Sequence, residues 1–186
     1  MERKLWKKCV KFHGHECGGL TIGYKAALYA VKLLNLQQQD SEKLDSCISK
    51  DEEVVCISEN DACGVDAIQV LLGCSAGKGN LLFHITGKMA FSFYNRKNGK
   101  AVRLVLKPGP EKMTREESFA YYQGLEPEEM FQIKEPKIPL PKKARIYPSV
   151  VCSCCKERVS ENKARLFQGK TYCLDCYEDY DRFRVQ

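Results

Sequence analysis

Two groups of residues carry soft metal-binding donors at spacings that could do chemistry. The first is Cys152-x2-Cys155 with Cys173-x2-Cys176. A C-x2-C pair lets two thiolates grip one ion from a tight turn, and two such knuckles complete a tetrahedron. The intervening stretch, 156–172, has the length typical of a four-cysteine zinc site. A closed four-thiolate shell has no vacant position and needs no redox activity, so structural zinc is expected; a rubredoxin-like iron or an iron–sulfur centre is the alternative. Cys154 is surplus, because the x2 spacing pairs Cys152 with Cys155.

The second group is Phe12-His13-Gly14-His15-Glu16-Cys17-Gly18-Gly19, which holds two of the three histidines. Imidazole and thiolate both suit zinc and the other late transition metals. His13, His15 and Cys17 offer three ligands, and Cys63, at the start of a predicted helix, offers a fourth, with Asp66 one turn further on. A site with an open position would bind substrate or catalyse, whereas a closed one would be structural. Spacing alone also permits loop histidines beside a buried thiol, and it does not choose among zinc, nickel and iron.

The elements that must position these donors are legible in outline. Leu20, Tyr24, Ala27, Leu28, Val31 and Leu34 recur at helical spacing and predict a helix over 20–36. A buried strand is expected at Val54–Ser58 and a helix at Ala62–Leu72. Strands at Leu81–Thr86, Met89–Tyr94 and Ala101–Leu106 come next, with Asn98-Gly99 as a hairpin turn, and read as an antiparallel meander. Thr114 and Glu117 make a capping box for a helix through Tyr122. The stretch 126–148 holds five of the seven prolines and reads as a linker or extended arm. In the cysteine module, Arg165–Tyr172 reads as a hairpin turning at Gln168-Gly169, followed by a helix over Leu174–Arg184. The fold class is therefore α+β, an antiparallel sheet with packed helices, plus a small treble-clef or ribbon-like zinc finger. The expected domains are a core over 1–125, an arm over 126–148 and a finger over 149–186.

Composition sets the frame. The chain has 186 residues, 44% of them hydrophobic, enough for a real core. Eleven cysteines, an odd number at uneven spacing, argue against a disulfide framework and for metal binding in a reducing compartment. No apolar run reaches the roughly eighteen residues of a membrane span, and no secretory signal follows the basic opening, so a cytoplasmic location without membrane contact is expected. The net charge of +6 falls partly on Lys142-Lys143-Ala144-Arg145 and the finger. It lacks the regular basic and aromatic interleaving of a nucleic-acid face, so nucleic-acid binding is not expected.

Other signals are weaker. Gly73-Cys74-Ser75-Ala76-Gly77-Lys78-Gly79-Asn80 has the wrong spacing for a phosphate loop. It could line the metal pocket, with Cys74, Lys78 and Asn80 contacting a small anionic ligand. Tyr24 and Lys25 could join that pocket. Glu16, Asp66 and Lys78 are candidates for proton transfer. His84 reads as an ordinary strand histidine, and Cys9, Cys47 and Cys56 as plain thiols.

Residues 12–25, from Phe12-His13-Gly14-His15-Glu16-Cys17 to Tyr24-Lys25, resemble the opening motif of the FmdE family of formylmethanofuran dehydrogenase components. Cys63-Gly64-Val65-Asp66-Ala67-Ile68-Gln69 resembles its second motif and Gly73–Leu81 its third. Gly87-Lys88-Met89-Ala90-Phe91 fits the segment after the third motif, and the C-terminal knuckles fit the longer members of the family. The resemblance implies an α+β core and a homodimer in which the finger packs against the partner subunit. It also implies a metal, zinc in the first instance, held near His13, His15, Cys17 and Cys63. The family usually has proline after the motif cysteine; Gly18 stands there and would leave that loop looser. The resemblance transfers no activity, since the chemistry of the named enzyme belongs to other subunits carrying molybdenum or tungsten. It leaves two readings. One is an accessory or stand-alone FmdE relative, enzymatic or enzyme-associated through its metal. The other is a binding protein that handles metal or molybdenum cofactor or regulates through its finger.

Overall fold

The computed structural model describes residues 3–36, 48–180 and 182–183. Cys47 lies outside the described residues. The chain packs as two units, Met1–Lys143 and Ala144–Gln186. Among the described residues no helix is long and apolar enough to cross a membrane.

The first unit is built around α2 (Gly18–Leu33), which is buried along most of its length. It is preceded by α1 (Arg3–His13), an amphipathic helix that the sequence patterning did not predict. Trp6 of α1 stacks edge-on against Tyr24 of α2, with ring centroids 5.3 Å apart. Tyr24 is thus part of the core, with no exposed surface.

Strand β1 (Val54–Ser58) leads through a loop into α3 (Gly64–Leu72). The remaining strands of the core are β2 (Leu81–Phe83), β3 (Ala90–Asn95), β4 (Ala101–Leu106) and β5 (Phe131–Lys134). Their order in the sheet is β2-β1-β3-β4-β5. β3, β4 and β5 run antiparallel to their neighbours, but β2 pairs parallel with β1, Cys56 opposite Leu81. The expected three-strand meander is therefore corrected. β2 stops at Phe83, and the chain crosses past β1 before β3 begins.

The arm expected over 126–148 also differs. Its first part forms α5 (Pro127–Met130) and β5, the edge strand opposite β4. Met130 and Phe131 are only 2% exposed, and those two apolar side chains are what the proline count concealed. Before them, α4 (Arg115–Gly124) starts at the Thr114–Glu117 capping box, as the spacing requires. The α4–α5 turn is pinned by Lys25 of α2, whose ammonium donates to the carbonyls of Gln123 and Leu125. Burial holds that ammonium below its ordinary pKa, while Glu126 and Glu129 oppose the shift.

One sheet face meets the helices through Val54, Cys56, Phe91, Phe93, Val102 and Leu104. Phe91 and Phe93 are fully buried, each worth about 2–3 kcal/mol relative to exposure. The opposite face carries Val55, Ile57 and Tyr94, covered by Leu82 and Ile138, and the Tyr94 hydroxyl donates to the Ile138 carbonyl at 2.5 Å. At the edge of this second face Arg103 makes a two-point ion pair with Glu59: Nε to Oε1 at 2.5 Å and Nη2 to Oε2 at 2.9 Å. Both residues are buried, at 3% and 5% exposure.

The Arg103 hydrogen bonds hold the Glu59 carboxyl below its ordinary pKa, with Thr86 adding a third donor. A carboxyl that titrates lower in the folded than in the unfolded chain contributes stability that is whole above the unfolded value, about 4.3, and is lost as pH falls through the folded one. Glu59→Gln is expected to be less stable than wild type at pH 7 and to lose less further stability on acidification to pH 3. Urea unfolding across that range checks it.

Candidate metal centres

His13 is the last residue of α1, and Cys17 is the N-cap of α2. The Cys17 sulfur accepts the Leu20 N–H at 3.3 Å, so the sulfur sits where the helix presents unpaired donors and favours negative charge. Cys63 is the N-cap of α3 and contributes no side-chain cap bond, leaving its thiol available.

What brings Cys63 to Cys17 is a crossing of small residues. Gly23 of α2 lies directly over Gly64 of α3, so close that a Cβ on Gly23 would collide with the Gly64 backbone. A Cβ on Gly19 would stand 3.1 Å from the Cys63 Cβ. Gly18 is equally enclosed, because a Cβ there would run into Ser118 of α4. The loop expected to be looser for want of proline is instead shut by this approach.

The result is a cluster in which ligand atoms of His13, Cys17 and Cys63 all lie within 4.8 Å of one another. His13 Nε2 is 3.8 Å from Cys17 Sγ. Ligands about 2.0–2.3 Å from a tetrahedral ion stand roughly 3.5–3.8 Å apart, so the donor set fits a zinc-class ion with little movement. The other ring nitrogen, Nδ1, is 2.7 Å from Asp66 Oδ2, and Gln69 Nε2 donates to Asp66 Oδ1 at 3.2 Å. The carboxylate places the imidazole proton on Nδ1 and leaves the Nε2 lone pair aimed at the sulfur atoms. Burial pushes the Cys63 thiol pKa up, and Cys17 beside it pushes the same way.

His15 stands outside this cluster. Its ring centroid is 4.5 Å from that of His13, and its Nε2 faces Arg115 Nη2 at 3.4 Å. Asp66 supports His13. Glu16 accepts the Trp6 indole N–H at 2.9 Å. The Gly73–Asn80 loop is structural: Lys78 donates to the Ser49 carbonyl, and Asn80 bonds Asp51, Val54 and Ser75. Cys74 is buried against Val54, and burial lifts the Cys9 thiol to about 12. The two residues that sequence reasoning undervalued are Gln69 and Arg115. Gln69 had a signal, one turn beyond Asp66; Arg115 had none.

The second unit is a pair of hairpins around four sulfurs. β6 (Ser149–Val151) and β7 (Arg158–Ser160) flank the first knuckle, and a short 3-10 turn (Glu161–Lys163) leads to β8 (Arg165–Phe167) and β9 (Lys170–Tyr172). Gln168 and Gly169, at φ 48° and 72°, make the expected tight turn. Cys152, Cys155, Cys173 and Cys176 come together, and Cys154 is exposed beside them. The Cys173 N–H donates to Cys152 Sγ at 3.4 Å and is the main cause that brings the Cys152 thiol down to about 6. The helix expected over Leu174–Arg184 is absent from the described residues: a turn closes on the Cys173 carbonyl, and 177–180 have no regular structure.

With both centres described, the class of protein is defined. Residues 12–139 match the FmdE family, described as "FmdE, Molybdenum formylmethanofuran dehydrogenase operon", and residues 145–182 match the prokaryotic dksA/traR C4-type zinc finger. The chain belongs to the FmdE family and carries a C4 zinc finger with a structural zinc site. It is 30% identical over 101 residues to a probable S-adenosyl-L-methionine-binding protein of Archaeoglobus fulgidus, an alignment covering 54% of this chain but only 26% of that protein. Its fold is similar to the crystal structure of a tungsten formylmethanofuran dehydrogenase FmdE-like protein from Syntrophus aciditrophicus. The TM-score is 0.63 at 23% identity, covering 93% of this chain and 90% of that one.

The packing at each centre can be tested. Gly23→Ala forces backbone apart at the α2–α3 crossing and is expected to cost at least about 2 kcal/mol, whereas Gly124→Ala, in open space, is neutral or stabilising; denaturant unfolding distinguishes them. In the finger Cys152 is the only buried residue among those described, so chelation is expected to unfold it while the core persists. Limited proteolysis with mass spectrometry should then place cuts after Lys143, and resistance after verified zinc removal would contradict this.

Proposed function

We propose that the core of this chain is a metal-binding domain in which His13, Cys17 and Cys63 hold one zinc-class ion and leave a fourth position open to a small ligand. The observation that carries the reading is the Gln69–Asp66–His13 chain, which turns Nε2 toward two sulfurs from separate helices. Carboxylate-oriented imidazole is the usual support for a metal ligand. A three-ligand site of this kind supplies Lewis acidity or a nucleophilic water. In this proposal the protein is an accessory or stand-alone relative of the FmdE component of formylmethanofuran dehydrogenase.

We place it in the cytoplasm, where the free thiols of Cys9, Cys56 and Cys74 stay reduced. It works as a homodimer whose finger contacts the partner subunit, using exposed apolar residues such as Ile146 and Leu166. Those same side chains support a second reading, a metal- or molybdenum-cofactor-handling or regulatory factor whose finger meets another macromolecule. Light scattering on the full chain separates them: a stable dimer dissociated by Leu166→Asp favours the first, a monomer the second.

Metal analysis of the full chain, purified without chelator, is expected to find about two equivalents. His13→Ala and Cys63→Ser should each lose the core equivalent and keep the finger's, Cys155→Ser the reverse, and His15→Ala should keep both. Full occupancy in His13→Ala and Cys63→Ser would refute the core site.

A further inference from the structure

On the sheet face away from the helices, at the carboxyl end of β1, a cavity of about 100 Å³ is lined by Ile57, Glu59, His84, Thr86, Lys88, Ser92, Lys137 and Ile138. The floor is β1 and β3. One wall is the chain over 84–88, tied to β1 and the residue after it by backbone bonds from His84 to Ser58 and from Thr86 and Gly87 to Glu59, and by Asn60 Nδ2 to the Lys88 carbonyl. The other wall carries Lys137 and is fixed by the bond between Tyr94 and Ile138. Three separate segments thus hold their positions around one opening.

The charge in that opening is unbalanced. Glu59 is the only carboxylate in the lining, and Arg103 neutralises it through two hydrogen bonds. Lys88 draws the Glu59 carboxyl down without forming an ion pair with it. Neither Lys88, Lys137 nor His84 makes a side-chain hydrogen bond or ion pair with another described residue. Two lysines and a histidine, all exposed, thus border a cavity whose one carboxylate is already paired. Like charges gathered in this way repel, and an anion among them relieves the repulsion.

From this geometry we infer a binding site for the oxyanion group of a small metabolite, a phosphate or a carboxylate. Lys88 and Lys137 supply charge from opposite walls, and His84 supplies a donor; the Thr86 hydroxyl is already spent on Glu59. The volume equals roughly three waters, so it takes one such group and not a whole nucleotide. The two ammoniums act as point charges and accept either shape, phosphate or carboxylate. The site is independent of the core metal, because none of His13, Cys17, Cys63 and Asp66 lines it.

The test is calorimetric titration of the full chain with inorganic phosphate and, separately, with succinate. Saturable binding is expected, and the anion that binds more tightly identifies the preferred group. Lys88→Gln/Lys137→Gln should weaken it at least about tenfold, whereas Lys142→Gln/Lys143→Gln, with the same charge change on residues outside the cavity lining, should leave it within about twofold. Unchanged melting temperatures show that both variants fold. No saturable binding of either anion at millimolar concentration, or equal weakening in the two variants, would overturn the site.

Discussion

The structure depends on the contact between Gly23 and Gly64. Helices usually pack with axes 8–10 Å apart because side chains intervene. Here two residues without side chains remove that spacer, and α2 and α3 meet backbone to backbone. Cys63 and Asp66 ride on α3 and therefore arrive beside Cys17 and His13. The same approach buries Ala26, Ala27 and Ala67, so the region is tight for several turns. The hydrogen bonds of the site refine a placement that excluded volume has already made.

Much of this was legible in the residues, for identifiable reasons. The four-cysteine module declares itself because both knuckles obey a local rule, and spacing along the chain is what a local rule sees. The capping box at Thr114 and the turn at Gln168-Gly169 are local in the same sense. β2 was misplaced because Leu81–Thr86 looks identical whether it pairs with the next strand or with β1. That choice is made by α3, which carries the chain across the sheet. β5 was hidden because Met130 and Phe131 sit among prolines and glutamates, and two residues are too few for a period. The C-terminal helix failed for the opposite reason: its residues suit a helix, but few of them have a surface to pack on.

Within the candidate site, the sequence pointed to the donors and not to their partition. His13 and His15 are equivalent by type and neighbourhood. The end of α1 separates them: the last helical turn carries His13 toward Asp66, while the chain after Gly14, at φ 94°, sends His15 toward Arg115. α1 itself was overlooked because its lysine-rich polar face dominates the composition. Trp6, Cys9 and Leu5 show the apolar stripe once the helix is drawn.

The two rims of the core sheet have a further consequence. β2 is three residues long, and β5 is followed by Glu135 and Pro136, the second of which lacks the amide proton that a new strand would need. Exposed Lys134 adds charge to that rim. Such margins discourage lateral recruitment of foreign chains, the route by which flat ribbons grow into fibrils. Strand addition at either rim of the core sheet is thereby disfavoured, which guards the scaffold against templating aggregation.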